Sequence, residues 1–208
     1  MLPALAFLLP SFAPPAAAPA EVDPALPNVL LIGDSISIGY TKPTREALAG
    51  EANVYRIPTN GGPTTRGLEQ IDAWLGDRKW DVIHVNWGLH DLKYMKGDRR
   101  VAPGEGTRQV APEDYKQNLA QLFDRLEQTS ARLIWATTTP VPEGAKWRVS
   151  DDSVEYNRIA AAVMKDRNVA VNDLHAVASA NLASLQKPRD VHFTPAGSKT
   201  LAEAVAEA

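Results

Sequence analysis

The chain has 208 residues, 44% of them apolar and 23% charged, enough for one globular domain with a sizeable core. A net charge of −3, with no basic run and no basic–aromatic stripe, argues against nucleic acid as a partner. The lack of cysteine excludes disulfides, thiol catalysis and cysteine metal ligands, and it suits an oxidising compartment.

Residues 1–20 stand apart. Leu2 to Leu9 is a short apolar run, and Ala13 to Ala20 is rich in Ala and Pro. Ala16-Ala17-Ala18 or Ala18-Pro19-Ala20 supplies a small-residue cleavage site, so the segment resembles a secretory signal peptide, although no Lys or Arg precedes the run. The run is too short to span a membrane. The expectation is a signal peptide over 1–20, a linker over 21–27 and a folded domain over 28–208, with export to the periplasm or the exterior.

From Pro27 onward, strand-like and helix-like segments alternate. Val29–Gly33 reads as a buried strand, followed by a helix through Thr44–Gly50 and a short strand at Asn53–Ile57. Leu68, Ile71, Trp74 and Leu75 share a helix face ending near Gly76. Asp81–Trp87 reads as the third strand. Residues 93–111, polar and rich in Gly and Arg, read as a long loop. Pro112 suits a helix start, and Tyr115, Leu119, Leu122, Phe123 and Leu126 recur at helical spacing. Leu133–Thr138 is the fourth strand, Ser150–Arg167 a helix, Val169–Val171 the fifth strand and Leu174–Leu185 another helix. After a loop at Lys187–Thr194, Pro195 opens a last helix to about Val205. Such alternation implies a parallel sheet covered on both faces, a flavodoxin-like three-layer α/β/α sandwich of five strands. Ligands then bind beyond the carboxyl ends of the strands. Ser35, Gly61-Gly62, His90 and Thr139 all follow strands, so they gather along one edge, and His192 joins them from the last loop.

Serine attacks only with a base in hydrogen-bond reach and a group to orient that base. Ser35, just past the first strand, is placed for attack; the competing reading makes it a helix N-cap. His192 is the candidate base, with Asp190 two residues upstream. The Ser35 N–H, a Gly61 or Gly62 N–H and a side chain near Gly88 are candidate oxyanion donors. Trp87 and Trp147 flank this region and can stack on a sugar, or simply pack. Asp34 and Asp91 read as loop braces. His84 and His175 read as structural, and the four histidines lack metal-ligand spacing.

Four blocks carry a family resemblance. Gly33-Asp34-Ser35-Ile36-Ser37, Asn60-Gly61-Gly62-Pro63-Thr64, Asn86-Trp87-Gly88-Leu89-His90-Asp91 and Asp190-Val191-His192-Phe193 resemble, in order, those of the SGNH hydrolases, also called GDSL-type esterases and lipases. The resemblance spans about residues 28–206. It implies ester hydrolysis through an acyl-serine, with Ser35 as nucleophile, His192 as base, Gly62 as an oxyanion donor, and no cofactor or metal. Two positions depart from the pattern. His90 replaces the oxyanion asparagine; Asn86 is the alternative substitute, though it lies four residues earlier, inside the strand. Arg189 occupies the usual triad-aspartate place, so either Asp190 or a backbone carbonyl orients His192. The expected substrate is a small-molecule or carbohydrate ester, with O-acetyl groups favoured by the polar 93–111 segment and the tryptophans. A non-catalytic carbohydrate-binding relative, a thioesterase or lysophospholipase of the same family, and a flavin-binding module are the rivals.

Overall fold

The computed structural model describes residues 16–150 and 152–208. Its elements run β1 (Asn28–Ile32), α1 (Ser35–Ala47), β2 (Asn53–Arg56), α2 (Thr64–Leu75), β3 (Val82–Val85), β4 (Tyr94–Lys96), β5 (Arg99–Arg100) and β6 (Thr107–Arg108). Then come α3 (Pro112–Glu127), β7 (Arg132–Ala136), α4 (Asp152–Asp166), β8 (Ala170–Asn172), α5 (Leu174–Ser179), α6 (Leu182–Leu185) and α7 (Pro195–Ala206).

The main sheet has the order β2-β1-β3-β7-β8, and every pair is parallel. Leu30, Leu31 and Ile32 of β1 are fully buried on both faces, which requires helices on each side. Helices α1 and α7 pack together, as do α2 with α3 and α3 with α4, giving the three expected layers. The order reverses between β1 and β3. The crevice beyond their carboxyl ends is therefore the switch point where such sheets bind ligands.

Several boundaries differ from the sequence reading. Helix α1 begins at Ser35 and runs through Pro43. Proline reads as a helix start, but here an interior proline is absorbed one turn after Gly39, the residue whose carbonyl it would otherwise have bonded. The helix foreseen over Leu174–Leu185 is broken at Asn181 into α5 and α6. The 93–111 segment is no bare loop: β5, β4 and β6 form a three-stranded antiparallel sheet. This flap is tied to α4, because Arg108 of β6 bonds Asp152 and Glu155 and stacks on Tyr156.

The foreseen signal peptide lies largely outside the described residues. Within them, Ala17 and Arg56 exchange backbone hydrogen bonds of 2.7 and 3.1 Å on the free edge of β2. The segment foreseen as a linker is docked. Asn53 accepts the Asp23 N–H at 3.0 Å and donates to the Asp23 and Leu26 carbonyls at 2.7 and 3.1 Å.

Candidate active site

The turn leaving β1 is held from several sides. Asp34 is the N-cap of α1, and its carboxylate accepts the Ile36 N–H at 2.9 Å. Ser35 is therefore the first residue of the helix rather than its cap. Its N–H has no carbonyl one turn back to bond, so it stays available. Arg56 runs beneath the turn, donating to the carbonyls of Gly33 and Asp34 at 3.0 and 3.2 Å and to those of Ile57 and Thr59 at 2.6 and 2.9 Å. It also bonds the Ser37 hydroxyl at 3.1 and 3.2 Å. One buried guanidinium thus welds the end of β2 to the end of β1. Gly61 donates to the Gly33 carbonyl at 2.9 Å, and a Cβ there would stand 2.8 Å from that oxygen. Only glycine permits that approach.

His192 Nε2 lies 2.9 Å from Ser35 Oγ, and His192 Nδ1 lies 2.6 Å from Asp190 Oδ1. The same Oδ1 accepts the His192 backbone N–H at 3.1 Å. This Asx turn explains how Asp190 reaches the imidazole from only two residues away. Arg189 adopts a left-handed φ of 57°, and turn bonds from Asp190 N–H to Lys187 O and from Lys187 N–H to His192 O close the loop. Of the two orienters the sequence left open, the carboxylate holds Nδ1. Burial pushes the Asp190 carboxyl up, but the two hydrogen bonds and the charges of His192 and Lys187 outweigh it, so it lies below its ordinary value.

The block after β3 turns at Gly88, whose φ of 147° and contact with Thr138 leave no room for a Cβ. The turn brings His90 to the cleft that Ser35 also lines. Burial pushes the His90 imidazole down to about 4; Asp34 opposes this, and Lys93, Arg148 and Arg100 reinforce it. His90 is thus neutral at neutral pH, with one ring N–H to donate. Asn86 points elsewhere, donating to the Ala136 and Thr137 carbonyls at 2.8 and 3.2 Å. Asp91 is a buried brace, accepting the Thr64 N–H at 2.8 Å and the Thr64 hydroxyl at 2.6 Å. Burial raises its carboxyl to about 7.

Two candidates are corrected. Trp87 is fully buried and touches no part of the cleft; its ring packs where a Gly67 Cβ would stand 2.8 Å away. It is a core residue, placed there because the side chain points into the helix layer holding α2 and α3. Gly62 is buried, and its N–H is donated to Asn60 Oδ1 at 2.9 Å. An acceptor inside its own loop has taken that donor, so it faces no oxyanion in this state. Trp147, by contrast, lines the cleft and lies under the Arg100 guanidinium at 5.1 Å.

The cleft has a volume of about 590 Å³. Its rim also carries Lys93, Arg100, Lys146, Arg148 and Arg189, of which the sequence reading noted only Arg189, and that for its place in the triad pattern. Their scatter over residues 93–189 hides them as a group. Arg56 was missed too, because a lone arginine at a strand end gives no signal.

A three-layer sandwich whose serine, histidine and aspartate meet at the switch point has the architecture of an ester hydrolase. The model of the GDSL-like lipase/acylhydrolase family matches residues 31–200. The chain belongs to that family, and its enzymatic class is ester hydrolysis. No curated protein matches the sequence. Among solved structures, the lipase/acylhydrolase from Enterococcus faecalis superimposes with a TM-score of 0.73 at 19% identity, covering 88% of this chain and 94% of that one. The acetyl xylan esterase AlAXEase gives 0.70 at 17% identity, covering 86% and 98%. Axe2, an acetylxylan esterase from Geobacillus stearothermophilus, gives 0.68 at 18%, covering 87% and 93%. Identities this low establish the shared fold. Among the described residues, no helix is long and apolar enough to cross a membrane.

Proposed function

We propose that this protein hydrolyses esters through an acyl-serine on Ser35. The observation that carries the reading is the continuous line from Ser35 Oγ through the imidazole to the Asp190 carboxylate. His192 Nε2 takes the hydroxyl proton as Oγ attacks the ester carbonyl. Asp190 keeps the other ring proton on Nδ1 and stabilises the imidazolium that forms. The Ser35 N–H and the neutral His90 donate to the oxyanion. His192 then returns the proton to the leaving alcohol, and water, activated by the same base, releases the acid. A Gly62 N–H joins only if Asn60 turns away.

For the substrate, we favour an O-acylated carbohydrate. The open cleft carries Trp147 as a stacking surface, and acetyl xylan esterases are among the structural neighbours. Hydrolysis of p-nitrophenyl acetate by wild type and Ser35→Ala tests the mechanism. Equal rates would sink it and favour a non-catalytic relative. The apolar and Ala/Pro-rich leader supports export as a companion proposal. N-terminal mass spectrometry of secreted protein checks it: a mature end near Ala18 or Ala20 is expected, and an intact Met1 refutes it.

A further inference from the structure

We propose that the cleft selects an ester carrying an anionic group, so that the substrate is an O-acyl ester of an acidic saccharide or similar acid. The inference rests on the esterase reading and deepens it. Five cationic side chains line the cleft: Lys93, Arg100, Lys146, Arg148 and Arg189. Only two carboxylates share it, Asp34 and Asp190, and both are spent. Asp34 caps α1, and Asp190 holds His192. The local balance is therefore positive in a chain whose net charge is −3.

Among the described residues, these cations lack carboxylate partners. Elsewhere Arg108, Arg125 and Arg167 each bond carboxylates. Among the described residues, none of the five cleft cations forms an ion pair. Lys93 is the telling one. Its stem is buried, the residue being only 6% exposed, while its ammonium opens into the cleft with neither a salt bridge nor a hydrogen bond among the described residues. A cleft that gathers unpaired cations beside a nucleophile offers charge-assisted hydrogen bonds to an anion bound there. Burial pushes Lys93 down to about 8, and Arg100 and Arg148 push the same way against Asp91. All three side chains line the same cleft.

The fold holds them there at some expense. Lys93 immediately precedes β4, Arg100 lies in β5, and the Tyr94 N–H bonds the Trp147 carbonyl at 2.8 Å. Arg148 is fixed by donating to the Leu89 carbonyl at 2.8 Å. The flap is thus the scaffold of an anion site next to Ser35. Arg148, whose guanidinium nitrogens beyond Nε have no partner among the described residues, suits a planar carboxylate or a tetrahedral sulfate equally.

Matched esters test this. 3-Acetoxybenzoate and 3-acetoxybenzenesulfonate carry the charge on the alcohol side, against neutral 3-acetoxybenzamide. 4-Nitrophenyl glutarate carries it on the acyl side, against its neutral methyl ester. The expected result is a kcat/KM at least tenfold higher for the anion in at least one alcohol-side pair, which also tells carboxylate from sulfonate, and a preference confined to the glutarate overturns the acidic-alcohol assignment. Lys93→Met and, separately, Arg148→Gln should cut that anion-to-neutral ratio about tenfold, and raising NaCl from 20 to 500 mM should shrink it. No preference in any pair overturns the proposal. Calorimetry on Ser35→Ala keeps the two readings distinct. There, 3-hydroxybenzoate should bind at least tenfold tighter than 3-hydroxybenzamide, whether or not the wild type turns over. Equal binding overturns the anion site, while loss of turnover difference between wild type and Ser35→Ala overturns only the esterase.

Discussion

Replacing Asp190 separates two jobs that one carboxylate performs. Its Oδ1 accepts both Nδ1–H and the backbone N–H of His192, at 2.6 and 3.1 Å. In Asp190→Asn, the backbone N–H still demands an oxygen at that position. The amide therefore presents Oδ1, keeps the proton on Nδ1 and leaves Nε2 free to accept from Ser35. What is lost is charge. A carboxylate about 4 Å from an imidazolium is worth about 4 kcal/mol at an effective dielectric near 20. Both side chains are nearly half exposed, at 45% and 46%, so solvent screening brings this to about 2 kcal/mol. That corresponds to roughly 30-fold in kcat/KM. Asp190→Ala loses the charge and the Asx turn together, freeing the imidazole to rotate, so a further tenfold or more is expected. The assay is kcat/KM on p-nitrophenyl acetate for the three proteins, with circular dichroism to check folding. The reasoning is refuted if the alanine variant is as active as the asparagine one, or if both stay within threefold of wild type.

Arg56→Ala should cost about 3–5 kcal/mol of stability, because three buried carbonyls and a part-buried one lose a charged donor; a loss under 1 kcal/mol in urea titration would contradict the role described. His84 is fully buried and pushed down to about 4 by that burial, so the unfolded chain binds its proton first as pH falls. Stability from this group is present above about 6.5 and declines towards 4, by about 2 kcal/mol at pH 5. In His84→Gln the drop in Tm between pH 7 and 5 should shrink, and an unchanged drop counts against the assignment. His90→Asn keeps a donor and should stay within about threefold of wild type, whereas His90→Ala should lose roughly 10²–10³ in kcat. Equal kcat for the two variants removes His90 from the oxyanion site.

The strong periodic signals survived into the structure. Buried runs such as Leu30–Ile32 and the Tyr115–Leu126 stripe lie where their spacing put them, because burial of a face is what that spacing encodes. The flap was illegible to hydrophobic pattern, since its strands are two or three residues long and mostly polar. Its one local cue was the Gly97-Asp98 pair, a two-residue hairpin turn with Gly97 at φ 56°. Trp87 was misread because alternation along a strand depends on where the strand ends. Gly88 bends the chain after Trp87, so the tryptophan keeps its inward face and the next residues carry the site. The spacing problem at Asp190 was soluble only in three dimensions, since nothing local announces that Arg189 takes a left-handed turn.

Base and orienter share one tight turn, while the nucleophile is 157 residues away along the chain. His192 and Asp190 therefore travel as a preassembled cartridge carried on the entrance to α7, and Ser35 sits at the entrance to α1. Their long-range joint is set in part by how α7 seats on α1, where a Cβ on Gly39 would stand 3.1 Å from Ser198 Oγ, and in part by Gln186, which donates to the Pro140 and Val191 carbonyls at 2.8 and 3.0 Å. A methyl at Gly39 would press on the Ser198 hydroxyl, which can turn aside by a few tenths of an ångström, so this seam admits small adjustments of the joint. The molecule behaves, in this respect, like a two-part lock whose halves are aligned by one helix pair and one glutamine.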